Sequence, residues 1–463
     1  MNASKSFAWT FKRCMQENTL NNESKTPTPL ETSGDGRLSV AYFAPGWPPG
    51  AFSNGIVTYV ASIAKGIREL GHEPHVLTYQ LERSNASNRG HQNVLELSSR
   101  RRSGEIMGRL RDAVGLRIRP ERFFRAAFAR GVRRGVEALM TSGDLDLLEI
   151  EESFGMAGFL RDRLSVPIVL RLHGPWFLNG AAMGAPQEED FLHRVQDEGQ
   201  TIANAFAVTA PSQDVLEQTR QYYQLPLEHA VVIPCPIAPT PSEQRWQPQH
   251  CDPNVIGFIG RFDRHKGGDL IIDAFAEVLQ DFPNTRLIFA GPDRGFRDDN
   301  GRKWQLEEYV RDRLPGALET GQIEWLGQQP PAVLTDLRRR AQITVVASRY
   351  DNFPYTALEA LSLGCPIVAA RAGGIPEIVT DEVSGLLFQS GDAADLAIQL
   401  RRLLQDPGWA AQLGHQAAES CAERFSPTVV AQQSIDFYRE TLARWSSSSG
   451  SLEELRGAQR QRS

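Results

Sequence analysis

The chain is 463 residues long, 41% apolar and 8% aromatic, with a formal net charge of −6. That length predicts two or three globular domains, each large enough for its own core, and no apolar run reaches the roughly 20 residues needed to cross a bilayer. Cys14, Cys235, Cys251, Cys365 and Cys421 are scattered without a C-x-x-C pair, which argues against a disulfide framework or a zinc site and fits a reducing cytosol.

Residues 1–36 are polar and lack an apolar h-region, so no secretory signal is expected and the segment reads as a disordered lead. LSVAYFA, 38–44, is the first predicted strand. It runs into a Pro/Gly loop, PGWPPGAFSNG, and then a helix over 56–70 that Gly71 closes. EPHVLTY follows as a second strand, and this βαβ start predicts a parallel sheet. Between 100 and 134, twelve arginines stand against Glu105, Asp112 and Glu121. That local net of +9 leaves −15 for the remainder of a chain whose total is −6. Phe123, Phe124, Ala127 and Phe128 can share one helix face there. The pattern fits either a domain helix with a basic solvent side or a helix lying on an anionic bilayer.

Further strands are predicted at 145–150, 167–172, 205–210 and 230–233, completing a first domain over 37–236. Several prolines suppress regular structure over 237–253, which reads as an interdomain linker. A second βα series occupies 254–426, with strands at 254–260 and near 285–290, 323–326, 343–347, 366–370 and 386–388. An amphipathic helix follows over 427–445. The serine-rich tail 446–463 reads as flexible.

The polar residues of interest stand at predicted strand ends, where parallel sheets bind ligands. Arg261 follows the strand NVIGFIG, and Lys266 opens the next helix. Two cations and a helix N-terminus suit a diphosphate, although a βα loop often carries surface Arg and Lys. Asp351 and Glu359 flank the start of the helix after ITVVAS. Carboxylates accept hydrogen bonds from sugar hydroxyls, and Asp351 is equally a good N-cap. Gly373-Gly374 permits a close turn, and Glu377 behind it complements a helix dipole. His173-Gly174 ends one strand and Glu151-Glu152 the strand before it, where the two acids either orient a ligand or are solvated. Pro211-Ser212 opens a helix. Asp144-Leu145-Asp146 mimics a metal-binding DxD but reads as lead-in to the apolar strand LLEI.

Gly260-Arg261…Lys266-Gly267, the acids Asp351 and Glu359 spaced by seven residues, and Gly373-Gly374-x-x-Glu377 resemble the retaining GT-B glycosyltransferases of the family-four type. The resemblance runs from about residue 38 to 445. It implies an α/β GT-B fold of two doubly wound Rossmann-like parallel-sheet domains facing across a cleft, with the helix 427–445 returning to the N-terminal domain. It implies transfer of a sugar from a nucleoside diphosphate sugar to an acceptor hydroxyl with retained configuration. Arg261 and Lys266 would hold the diphosphate, Glu359 the ribose, and Asp351 and His173 the transferred sugar. Gly55, Asn352, Phe353, Pro354, Tyr355, Gly373 and Gly374 would line the donor, and Glu151 and Glu152 the acceptor side.

The same resemblance implies no metal, no cofactor beyond the sugar nucleotide as co-substrate, and no nucleic-acid partner. The acceptor is expected to be a carbohydrate, a lipid-linked molecule or a small molecule. The location is expected to be cytoplasmic, with peripheral membrane contact through 100–134 as a further expectation. Three positions depart from the family. Asp351 stands where relatives carry Glu, Asn54 replaces a loop glycine, and Pro234-Cys235-Pro236 lacks the usual Asn turn. These leave a catalytically impaired scaffold or regulatory relative as an alternative, with a sugar-nucleotide epimerase behind it. A nicotinamide-dependent oxidoreductase is disfavoured, because neither half has G-x-G-x-x-G after its first strand.

Overall fold

The computed structural model describes residues 36–52, 54–82, 93–97, 120–143, 145–160 and 163–460, without the side chains of 120–124 and 449–460. The predicted lead up to residue 35, and the basic segment up to residue 119, lie outside the described residues.

The N-terminal half contains β1 (Ser39–Ala44), α1 (Gly55–Glu69), β2 (Glu73–Thr78), β3 (Asn93–Glu96), α2 (Pro120–Ser142) and β4 (Leu147–Glu151). It continues with β5 (Ile168–Arg171), α3 (Trp176–Ala182), α4 (Glu189–Ala203), β6 (Ala207–Ala210), α5 (Gln213–Tyr223) and β7 (Val231–Val232). Its strands form a parallel sheet of order β3-β2-β1-β4-β5-β6-β7. All of β1 is buried, as expected where helices cover both faces of a parallel sheet. Asn54 explains its own departure from the family loop. Its side chain accepts from Ile56 N and caps α1.

The second half contains β8 (Asp252–Ile259), α6 (Gly268–Asp281), β9 (Arg286–Ala290), β10 (Phe296–Arg297), β11 (Lys303–Trp304), α7 (Leu306–Arg313), β12 (Ile323–Gly327) and α8 (Pro331–Arg340). Then come β13 (Ala341–Val346), α9 (Tyr355–Leu363), β14 (Ile367–Arg371), α10 (Ile375–Ile378), β15 (Leu386–Gln389), α11 (Ala393–Gln405), α12 (Pro407–Phe425) and α13 (Pro427–Arg460). The parallel sheet runs β12-β9-β8-β13-β14-β15, and β10 and β11 form a separate antiparallel pair. Strand order therefore reverses at β1/β4 in one sheet and at β8/β13 in the other. Those are the switch points where doubly wound sheets open a crevice.

Helix α13 packs against α1 of the first half. Gly66 makes this approach close, since a Cβ there would lie 2.0 Å from Pro427 O. A buried polar cluster locks the same joint. Tyr59 and Tyr438 each donate to Glu149 at 2.7 Å, and the Tyr42 and Tyr438 hydroxyls meet at 3.2 Å. Burial pushes the Glu149 carboxyl up, while the Arg171 charge pulls it back.

Several expectations differ from the structure. The helix continues to Arg460, where a flexible tail is predicted from 446; Leu, Glu, Arg, Ala and Gln there all favour helix. The proline-rich stretch 237–253 is packed chain. Trp246 donates from Nε1 to Ala341 O at 2.7 Å and from its backbone to Leu363 O at 2.8 Å, and β8 begins at Asp252. Strands β3, β10 and β11 are short and lack an apolar run, so sequence periodicity does not reveal them. Ala127 is buried, and Phe128 packs edge-on against Phe43 at 5.0 Å, so this part of the predicted apolar stripe faces the domain core. No helix among the described residues is long and apolar enough to cross a membrane.

Candidate functional site

The loops after β8 and β13 are laced together. A Cβ at Gly267, where φ is 72°, would lie 2.1 Å from Ala347 O, so only glycine fits. Arg349 N donates to His265 O at 2.9 Å, and the Arg349 guanidinium grips both Asp269 oxygens at 2.7 Å. That bidentate fork fixes the loop bearing Asp351 against the first turn of α6. His265 donates from Nε2 to Tyr350 O at 2.9 Å, which leaves Nδ1 to accept from Arg261 Nη2 at 3.3 Å. Burial, then the charge of Lys266, pushes the His265 imidazole down toward the neutral form this pattern needs.

Arg261, Lys266 and Asp351 meet in this lacework. Lys266 Nζ lies 2.6 Å from Asp351 Oδ2. Asp263 organises both cations, accepting from Arg261 Nε at 2.6 Å and from Lys266 N at 2.7 Å. The shorter Asp351 side chain is thus held by the lysine, with Ser348 Oγ at 3.4 Å as a second contact. Glu359 is placed differently. Its Oε2 pairs with Arg338 of α8, and the side chain is 42% exposed.

The predicted donor-lining residues divide. No side chain caps α9 at Pro354, so its first-turn N–H groups are uncapped. Phe353 packs edge-on against Phe425 at 5.6 Å, so its ring is core. Tyr355 lies against Cys235, which pushes its hydroxyl further up after burial does. These two are therefore structural in their side chains, while the donor role expected of this stretch belongs to its backbone. A Cβ at Gly55 would meet nothing within 4 Å, so that loop edge is open. Gly373 (φ 54°) abuts Asp351 O, 2.1 Å from where a Cβ would stand.

On the facing domain, Glu152 is not solvated and Glu151 is half-buried. Strands β4 and β5 are neighbours, and Glu152, 1% exposed, accepts from His173 N and Gly174 N at 2.9 Å each. It shapes the strand end that carries His173 and is buried away from an acceptor. Glu151 accepts from Ser153 Oγ at 3.0 Å. The His173 ring stands edge-on to Tyr59 at 5.0 Å, and the Arg171 guanidinium lies over the same tyrosine ring, 4.5 Å from its centroid. Burial, then Arg171, pushes the His173 imidazole well down, which favours its neutral form. Asp146 accepts from Ser39 N at 2.6 Å, a strand-end contact; Asp144 lies outside the described residues.

Burial pushes Glu151 up to about 7 and Glu152 up to about 8, the latter also through Glu198. The folded chain thus keeps protons that the unfolded chain has released above about pH 4.5. Stability contributed here falls as pH rises from that value through about 8. Glu152→Gln is expected to lessen the drop in urea midpoint between about pH 6 and about pH 8.5. An unchanged drop would contradict the assignment.

The two domains touch through the same loops. Asn352 Nδ2 donates to His173 O at 3.1 Å and Asn179 Oδ1 at 2.8 Å. Tyr350 donates to Asp214 at 2.9 Å. Glu377 accepts from Gln213 N at 2.8 Å and Asp214 N at 3.0 Å, capping α5 of the other domain alongside Ser212. The sequence suggests only a local dipole role for Glu377; its cross-domain target is invisible there. His265, Asp269, Arg349 and Arg338 also escape sequence reasoning, since each acts through partners far along the chain.

Residues 53–240 match the family described as Glycosyltransferase Family 4, and residues 242–420 the one described as Glycosyl transferases group 1. The D-inositol 3-phosphate glycosyltransferase of Saccharomonospora viridis is 30% identical over 338 residues, 68% of this chain and 75% of that protein. Its namesake from Corynebacterium kroppenstedtii is 26% identical over 436 residues, 89% and 92% of the two chains. Sucrose-phosphate synthase from Thermosynechococcus elongatus is similar in structure, with a TM-score of 0.61 at 20% identity over 88% of this chain and 100% of that one. So is an Anabaena protein solved with UDP-glucose, with a TM-score of 0.58 at 19% identity over 88% and 100%. The structural likenesses establish the two-domain GT-B fold. The chain belongs to the family-four glycosyltransferases, the glycosyl transferases of group 1.

Proposed function

We propose that this glycosyltransferase moves a hexose-type sugar from a nucleoside diphosphate sugar to an acceptor hydroxyl with retention, without a metal. The observation that carries the reading is the meeting of Arg261, Lys266 and Asp351 where the β8 and β13 loops interlock. Arg261 and Lys266 bind the leaving diphosphate and neutralise the charge that grows as its bond to the sugar breaks. Asp351 and the neutral His173 orient the sugar from the two sides of the cleft. The acceptor oxygen bonds to the anomeric carbon on the face the diphosphate leaves, and its proton passes to the departing phosphate oxygen. Glu359 accepts from the ribose hydroxyls, and the contacts of Asn352, Tyr350 and Glu377 hold the domains shut against water.

The relatives' names include an inositol phosphate and a sugar phosphate, so phosphorylated polyols and sugars belong among the trial acceptors. The test is nucleotide release from UDP-, GDP- and ADP-sugars, with the product's anomeric configuration read by proton NMR. Release with a retained anomer is expected. An inverted anomer, or no release above the enzyme-free rate with any donor, would overturn the reading.

A further inference from the structure

Helix α8 ends in three arginines with different fates. Arg339 donates to Gln244 O at 2.8 Å, and Arg340 reaches Asp252 at 3.1 Å on the surface. Arg338 turns inward and is 2% exposed. Its Nη2 donates to Glu359 Oε2, its Nε has no partner among the described residues, and its carbonyl accepts from Cys365 Sγ at 3.2 Å. Its neighbour Leu337 packs in the apolar cluster of Val255, Ile288 and Ala341.

A guanidinium withdrawn from water carries a large desolvation penalty. One ion pair to a half-exposed carboxylate, with Nε left bare, does not offset it, and an apolar side chain of similar volume is often as stable at such a position. Stability therefore does not explain Arg338. The pair's geometry does. Arg338 holds one oxygen of Glu359 and leaves Oε1 without a hydrogen-bond partner among the described residues, on a side chain 42% exposed. A planar donor fixes the carboxylate's orientation.

We propose that Arg338 is a positioning residue for the nucleotide's ribose, aiming the free oxygen of Glu359 at the sugar hydroxyls. This rests on the reading of Glu359 as the ribose-binding acid. Arg338 itself touches no substrate and acts through the carboxylate.

The test is calorimetric binding of the preferred nucleoside diphosphate (UDP, GDP or ADP) and of its 2′-deoxy counterpart. A purely structural residue would shift both affinities together, so the ratio between them is the readout. The native protein is expected to favour the ribonucleotide by about tenfold, roughly the worth of one hydrogen bond to a charged group. Glu359→Gln and Arg338→Met should each bring the ratio near unity, and the double variant should go no further. Should Arg338→Met not fold, Arg338→Lys decides: an intermediate ratio supports the proposal and a native ratio overturns it. A native ratio in Arg338→Met together with a lost ratio in Glu359→Gln overturns the role of Arg338 and leaves the ribose reading standing. A native ratio in both variants overturns the ribose reading itself.

Discussion

Lys266→Ala is expected to lower turnover by about 10²–10³-fold, the usual loss when one preorganised cationic or hydrogen-bond donor is removed from developing charge. The loss has two sources. The diphosphate loses a counter-charge, and Asp351 loses its 2.6 Å partner, keeping only the 3.4 Å contact with Ser348. Stability should change little. Lys266 is a partly exposed residue, and such ion pairs are worth about 0–1 kcal/mol. A nucleotide-release assay beside a melting curve separates the two effects. Turnover within threefold or so of native would remove Lys266 from the chemistry.

Gly374→Ala is expected to damage activity by on the order of 10²-fold without unfolding either domain. A Cβ at Gly374 would stand 2.0 Å from Asn352 O and 2.8 Å from Ser212 Cβ. Backbone cannot yield as a flexible side chain can, so the β14–α10 turn must shift. That shift pushes Asn352 from His173 and parts Glu377 from the start of α5. The methyl therefore acts as a wedge between domains. Gly143→Ala is the control, because a Cβ there meets nothing within 4 Å; it should behave as native. Activity of Gly374→Ala equal to that control would mean the domain contact seen here is not the working one.

The sequence makes some of this plain and hides the rest for a physical reason. Apolar strands ending in Gly, His, Arg or acid reveal both sheets and the ends of β5, β8 and β13, because strand burial and strand-end polarity are local patterns. Arg261, Lys266 and Asp351 are legible for that reason. Local pattern says nothing of where a side chain turns. Glu151-Glu152 reads as acceptor-orienting or solvated, yet Glu152 is buried beneath His173 because β4 and β5 are adjacent. Arg338 sits in a run of three arginines whose inward member no local pattern marks, and the packing of α8 on α9 draws it inward. Arg349 and Asp269 stand 80 positions apart in sequence. Phe353 and Tyr355 follow the family motif, but their side chains serve the core.

Arg261 and Lys266 are proposed to form a receptor for the second phosphate of a nucleotide. The most direct measurement is the calorimetric affinity of the native protein for a nucleoside diphosphate against the matching monophosphate. The diphosphate is expected to bind about ten- to a hundredfold tighter, the worth of one charge-assisted contact. Equal affinity for the two would contradict it.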